Sequence, residues 1–249
     1  MNTNNTVNKE EAFDQWYRLI GLLVSLGDTI HFVEPEKGLY DMTFSGDAGM
    51  VWNDTFIPSN FKNVERKGEV NKYIEWFNNN GFKLCQIPNE IFFEGLGDLV
   101  FHNSLAFFGY GSRSDERALE WLHKFIPELK ILGQMEIIDD HYFHLAMALS
   151  FIDERTVLYY PPAFTKKSVD ELKSIIPNAI AVSQQDADEY FACNNIVIKN
   201  KVILDNATNQ LKSDLKSVGY EVITSNMSEF KKSGGSLRCL VLSFMTGGK

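Results

Sequence analysis

The chain has 249 residues, with 24 basic against 33 acidic side chains and a formal net charge of -9. No basic stripe is present, which argues against a nucleic-acid or anionic-membrane surface. Hydrophobic residues at 44% and charged residues at 23% fit an ordinary globular chain and exclude wholesale disorder. The longest early apolar run, Leu19 to Leu26, is broken by Gly21 and Ser25. It falls short of the roughly 18 to 20 residues that span a bilayer. The first ten residues are polar and rich in Asn, without the apolar stretch of a secretory signal; Asn2, Asn4 and Asn5 read as a frayed start. Cys85, Cys193 and Cys239 cannot all pair and form no close-spaced metal motif. A reduced, cytoplasmic protein without metal or organic cofactor is expected.

Residues 9–26 place Phe13, Trp16, Tyr17, Ile20, Leu23 and Val24 at helical spacing, and Gly27 closes the helix. Ile30 to Val33 follows as a strand. Residues 69–79 repeat the theme with Tyr73, Trp76 and Phe77 on one face, ahead of Gly81 and a strand over Phe82–Ile87. Asp54 reads as a hairpin-turn residue. Asp115 to Phe125 predicts a third helix with Asp115 as N-cap. Lys167–Ile176 and Asn206–Val218 predict a fourth and fifth, leading into strands over Ala179–Val182 and Tyr220–Ile223, and Glu229–Lys232 a further turn. Cys85 and Cys193 are assigned to apolar core strands. Helix and strand thus alternate with a period of roughly 40 to 50 residues, the mark of a repeat or propeller architecture. No Pro/Ser-rich linker divides the chain, so residues 1–249 read as one α/β domain.

Polar residues recur inside otherwise apolar stretches. Asp47 lies in Phe44-Ser45-Gly46-Asp47-Ala48-Gly49, and Glu94 in Phe92-Phe93-Glu94-Gly95-Leu96-Gly97-Asp98. His144 lies in Tyr142-Phe143-His144-Leu145-Ala146, and Cys239 in Gly234-Gly235-Ser236-Leu237-Arg238-Cys239. Successive intervals are about 47, 50 and 95 residues, and the midpoint of the last falls at the polar pair Asn194-Asn195. If each repeat delivers one polar group to the same place, the groups meet on a central axis. Cys with His makes a thiolate nucleophile with an acid/base partner. Two carboxylates facing that pair suit a cation, and a planar guanidinium matches them by bidentate hydrogen bonds. An acyl substrate would instead need donors for an oxyanion.

These stretches resemble the guanidino-group-modifying enzymes, or penteins: arginine deiminases, dimethylarginine dimethylaminohydrolases, arginine dihydrolases and amidinotransferases. The runs that carry the resemblance are Gly38-Leu39-Tyr40-Asp41-Met42-Thr43-Phe44, the Phe-Phe-Glu-Gly-x-Gly-Asp run at 92–98, and Gly109-Tyr110-Gly111-Ser112-Arg113. Val157-Leu158-Tyr159-Tyr160-Pro161-Pro162-Ala163-Phe164 and the Gly-Gly…Cys ending complete the set, in order, over nearly the whole chain. The resemblance implies a five-bladed α/β propeller of ββαβ repeats with its site on the pseudo-fivefold axis. It implies Cys239 as nucleophile, His144 as acid/base, and Asp47 and Glu94 as holders of the guanidinium. Arg66 and Arg113 match the arginines that hold the substrate α-carboxylate, and Asp41 the aspartate at its α-amine, with a turn-stabilising role as the plain alternative. Asp98 is a substrate-side candidate whose plainer reading is a backbone hydrogen bond. The implied substrate is a guanidino amino acid, and homo-oligomerisation stays open.

Three departures narrow this reading. Arginine deiminases and amidinotransferases usually show His-x-Asp where this chain has Ala146, as dimethylarginine hydrolases also lack the Asp. Arginine dihydrolases show Asn where Asp47 stands, so an acid there resembles enzymes that stop at citrulline. Relatives usually begin with a strand and a substrate-covering loop. This chain has about eight mostly polar residues ahead of the first helix, so the lid is expected to be missing or built differently. The expected activity is hydrolysis of a C–N bond of arginine or an N-substituted arginine through a covalent cysteine intermediate. The alternatives are amidino transfer to an amine acceptor, dihydrolysis to ornithine, and amino-acid binding without turnover.

Overall fold

A computed structural model describes residues 6–244 of the chain; Asn2, Asn4 and Asn5 lie outside them. The helices are α1 (Lys9–Leu26), α2 (Glu69–Asn79), α3 (Ala118–Phe125), α4 (Leu145–Ala148), α5 (Lys166–Ile175), α6 (Gln184–Asp188), α7 (Asn209–Ser217) and α8 (Ser228–Lys231). Among the described residues the strands form four separate sheets of three, and each sheet is built the same way.

An antiparallel hairpin comes first, then a helix, then a strand that returns parallel to the second hairpin strand. The first sheet joins β1 (Gly49–Trp52), β2 (Thr55–Pro58) and β3 (Lys83–Leu84) around α2. The second joins β4 (Leu99–His102), β5 (Leu105–Tyr110) and β6 (Lys130–Glu136) around α3. The third joins β7 (Leu149–Asp153), β8 (Thr156–Tyr159) and β9 (Asn178–Ala181) around α5. The fourth joins β10 (Ile196–Ile198), β11 (Lys201–Leu204) and β12 (Glu221–Thr224) around α7. Three of the four two-residue hairpins turn on left-handed residues, Asn53, Asn103 and Lys199, with φ of 52°, 53° and 56°. Such backbone matches the twist of the flanking strands. Helix starts are set locally: the Thr165 and Thr208 hydroxyls accept from the amides of Ser168 and Leu211.

Three expectations are corrected. The third helix starts at Ala118, because the Asp115 carboxylate accepts the Arg117 amide at 3.0 Å and closes a turn. Ile30–Val33 is not a strand; no described strand pairs with it, although Ile30 and Val33 remain packed against core clusters. Cys193 and Cys85 lie outside strands, the first fully buried and the second half-buried.

Helix α1 spans the expected residues but turns a different face inward. Its buried stripe is Gln15, Leu19 and Leu23, whereas Phe13 and Tyr17 are 62% and 64% exposed and Val24 is exposed as well. Gln15 tolerates burial because α8 satisfies its amide: Nε2 donates to Ser228 Oγ at 2.8 Å and Oε1 accepts from the Glu229 amide at 3.1 Å. Among the described residues no helix is long and apolar enough to cross a membrane.

Candidate active site

Each expected polar residue sits in the turn that precedes a hairpin. Asp47 closes a 3-10 turn, Ser45–Ala48, ahead of β1, and Glu94 caps the turn Gly95–Gly97 ahead of β4. His144 caps α4 ahead of β7, and Asn194 precedes β10. Side chains leave these turns from the same end of each sheet, so they converge. His144 Nε2 lies 2.7 Å from Glu94 Oε2, and its Nδ1 lies 3.7 Å from Asp47 Oδ1. All three are buried, and so is Cys239.

Close backbone approach makes this convergence possible. At Gly97 a Cβ would sit 3.0 Å from the His144 ring, so the imidazole packs flat on bare backbone. At Gly46 a Cβ would sit 2.6 Å from the Arg238 carbonyl oxygen. Across that gap the Gly46 amide donates to the Cys239 carbonyl at 2.8 Å, and Ser45 Oγ to the Leu240 carbonyl at 2.8 Å. The first repeat therefore clamps the cysteine segment on one side. Asn194 clamps it on the other: Oδ1 accepts the Arg238 and Cys239 amides at 3.1 and 3.4 Å, while Nδ2 reaches Cys239 Sγ at 3.2 Å.

A second layer fixes the first. Asp98 is fully buried; one oxygen accepts the Ser114 amide and hydroxyl at 3.1 and 2.6 Å, the other the Leu145 amide at 3.0 Å. Ser114 Oγ also accepts the Glu94 amide at 3.0 Å, which ties Glu94, Asp98 and the His144 turn together. Arg66 is buried over the Phe61 ring, 4.2 Å from its centroid. Its Nε and Nη2 grip Glu69 at 3.0 to 3.2 Å, Nη2 also meets the Asp41 carbonyl at 3.3 Å, and Nη1 meets Asp47 Oδ2 at 2.8 Å. Arg113 lies over the Phe143 ring at 4.8 Å. Asp41 is half-buried and touches this network through its carbonyl. Asn194, Glu69, Ser114 and Arg238 were not among the expected site residues. Only Asn194 carried a signal, its place in the repeat spacing. Arg238 has a buried Nε without a hydrogen-bond partner, and burial pushes its guanidinium down to about 10, partly offset by Cys239.

Electrostatics decide the resting protonation. Burial alone would push His144 down, but Asp47, Asp98 and Glu94 outweigh it and hold the imidazole up at about 9. Burial would raise Glu94, yet its bond to His144 keeps that carboxyl below the usual range. Burial lifts Asp98 to about 6 against the pull of His144. Burial, with Asp47 beside it, pushes the Cys239 thiol up to about 12, opposed by the Ser236 backbone and Asn194. At neutral pH the site holds a thiol and an imidazolium. His144 Nδ1 has no hydrogen-bond partner among the described residues, so its proton is free to move. Among the described residues no group of three or more His, Cys, Asp or Glu has the geometry to hold a metal ion.

The sequence profile described as N,N dimethylarginine dimethylhydrolase, eukaryotic, matches residues 1–246. The chain belongs to that family. It is 31% identical over 246 residues to the dimethylarginine dimethylaminohydrolase of Mycobacterium tuberculosis, covering 97% of this chain and 78% of that protein. It is 32% identical over 239 residues to the bifunctional arginine dihydrolase/ornithine cyclodeaminase AgrE of Nostoc, covering 94% of this chain but a third, 33%, of that longer protein. The N-terminal domain of cyanobacterial ArgZ, solved with a covalently bound reaction intermediate, superimposes with a TM-score of 0.89 at 31% identity. That match covers 94% of this chain and 86% of the ArgZ chain. This pentein is a cysteine-dependent amidine hydrolase.

Proposed function

We propose that this dimethylarginine-hydrolase relative cleaves a C–N bond in the guanidino group of arginine or an N-substituted arginine, with Cys239 as nucleophile and His144 as acid/base. The observation that carries the reading is an imidazolium held by Glu94 at Nε2, with no hydrogen-bond partner at Nδ1, in a buried cluster whose Asp47 also acts on the Cys239 thiol. The substrate guanidinium lies between Asp47 and Glu94, which are ordered and ionisable before it arrives. Because His144 already holds its proton, it cannot take one from the thiol at rest. The arriving cation favours the thiolate by offsetting Asp47, and the thiol proton passes to solvent, to be regained by the sulfur when the C–S bond breaks at the end of the cycle. The sulfur attacks the guanidinium carbon, and His144 Nδ1 protonates the nitrogen that departs. The imidazole, now neutral, takes a proton from water as that water adds to the thiouronium carbon. Collapse of the adduct breaks the C–S bond and releases a citrulline-type ureido product.

Arg113 is the cation assigned to the substrate carboxylate. Arg66 already directs four of its five N–H groups at Glu69, Asp41 and Asp47, so it contributes one Nη1 proton at most. Asp98 acts through Ser114 and Leu145 and positions Glu94 and His144. Asp41 faces the α-amine. A five-bladed ring would need a fifth repeat divided between the two ends of the chain, and the place of Cys239 after the fourth sheet, with helix α1 ahead of the first, supports it. The substrate is a small guanidino amino acid. The chain works as one domain in the cytoplasm, and self-association is not required by the site.

Purified protein incubated with arginine, monomethylarginine, dimethylarginine and agmatine, followed by mass spectrometry, tests the reading. Citrulline with an amine or ammonia is expected. Ornithine with ammonia would move the assignment to the dihydrolases, which the similarity to AgrE favours and the acid at Asp47 disfavours. Product formed only with an added amine acceptor would mark amidino transfer. Thermal stabilisation without product would mark a binding protein.

A further inference from the structure

Four of the axial residues have an assigned task, and the fifth, Asn194, has none. It is 1% exposed and its side chain uses all its hydrogen-bonding capacity. The carboxamide oxygen accepts two backbone amides, those of Arg238 and Cys239. Two donors at one atom fix which end of the amide is oxygen, so the NH2 end must face the other way. There it donates to the Ala146 carbonyl at 3.1 Å and to Cys239 Sγ at 3.2 Å. One side chain thus sets the position of the cysteine backbone and presents a donor to the sulfur.

We infer that Asn194 belongs to the catalytic apparatus, its Nδ2–H holding the Cys239 sulfur as a thiolate when substrate arrives. The inference rests on the reading of Cys239 as nucleophile. A sulfur facing Asp47 needs an opposing donor once it is charged, since hydrogen bonds to a charged form favour that form. That donor must also be neutral. A lysine or arginine in this place would repel the substrate guanidinium that the neighbouring carboxylates attract, whereas an amide N–H stabilises the thiolate and leaves the cation site intact.

Asn194→Asp is the informative variant, because it keeps the acceptor for both backbone amides and replaces the donor by an anion. The expected result is a kcat lower by about 100-fold with KM within about threefold. Alkylation of Cys239 by iodoacetamide, mapped by mass spectrometry of its peptide, should be at least tenfold slower at pH 8. The melting temperature should stay within a few degrees. Wild-type kcat and alkylation in Asn194→Asp overturn the inference. Should Asn194→Asp fold poorly, Asn194→Ala decides: it removes the donor to sulfur without adding charge, so alkylation of Cys239 at pH 8 in the folded protein is expected to be several-fold slower, and alkylation at the wild-type rate overturns the inference. Turnover by Cys239→Ala would overturn the underlying nucleophile assignment instead, and would be seen separately.

Discussion

Asp47→Asn perturbs the site with almost no change in shape, and its effects carry opposite signs in two assays. Asp47 is the largest of the anionic influences that hold His144 up at about 9, and it is also the neighbour that keeps Cys239 protonated. Removing its charge lets the imidazole fall from about 9 towards its ordinary 6.5, a change bounded at about 3 kcal/mol because one unit is about 1.4 kcal/mol. His144 is raised on folding, so its contribution to stability is fully present below about pH 6.5 and is lost as pH rises through about 9. The variant should therefore lose most melting temperature near pH 6 and progressively less towards pH 10. Its kcat/KM should fall roughly 100-fold, since one of two carboxylates on a buried guanidinium is worth about 3 kcal/mol. Alkylation of Cys239, by contrast, should become faster at a given pH. The assays are steady-state turnover with the preferred guanidino substrate, iodoacetamide labelling against pH, and thermal unfolding at several pH values. Slower labelling, or turnover within threefold of wild type, would refute this account of the charges.

Other outcomes follow from the same geometry. The pH profile of kcat/KM should bend downward near pH 9, as His144 loses the proton it delivers to the leaving group; a profile flat to pH 10 would remove it as the acid. Cys239→Ala should abolish turnover while leaving the melting temperature within a few degrees, as the lost atom is one small buried sulfur. Gly46→Ala would press a methyl group to 2.6 Å from the Arg238 carbonyl, so it should cost about 2 to 3 kcal/mol in denaturant unfolding and lower kcat by displacing the cysteine segment. Tyr17→Ser on the exposed side of α1 should change unfolding free energy by less than about 0.5 kcal/mol, whereas Leu19→Ala on the buried side should cost about 2 to 4 kcal/mol.

The repeat was legible because its period is carried by independent signals: apolar helix faces, turns, and one polar residue per period in an apolar setting. The convergence of Asp47, Glu94 and His144 could be read from spacing alone. Side-chain pairing could not. Arg66 reads as a free cation until α2 brings Glu69 against it, and nothing local in that run of charges announces a buried pair. Helix α1 misled for a related reason. Its aromatic residues gave a clear helical stripe, yet the buried stripe runs through Gln15, whose burial depends on partners in α8 that lie 213 residues further along the chain. Ile30–Val33 has strand composition, but strand pairing belongs to the neighbour as much as to the segment. The second hairpin strand of each repeat has four to six residues, too few and too evenly apolar to show alternation.

The clamp on the cysteine segment has a consequence for how activity is acquired. Ser45 and the Leu240 carbonyl that it binds are 195 residues apart, and the Asn8 amide and the Glu229 carboxylate that meet at the α1–α8 junction are 221 apart. Contacts of such separation close late, after the four sheets have local reasons to form. The thiol therefore gains its electrostatic setting only when the two ends of the chain have met, and a ribosome-bound or nicked chain presents an ordinary cysteine instead of one held protonated until substrate arrives. Competence for chemistry serves as a report that assembly is finished.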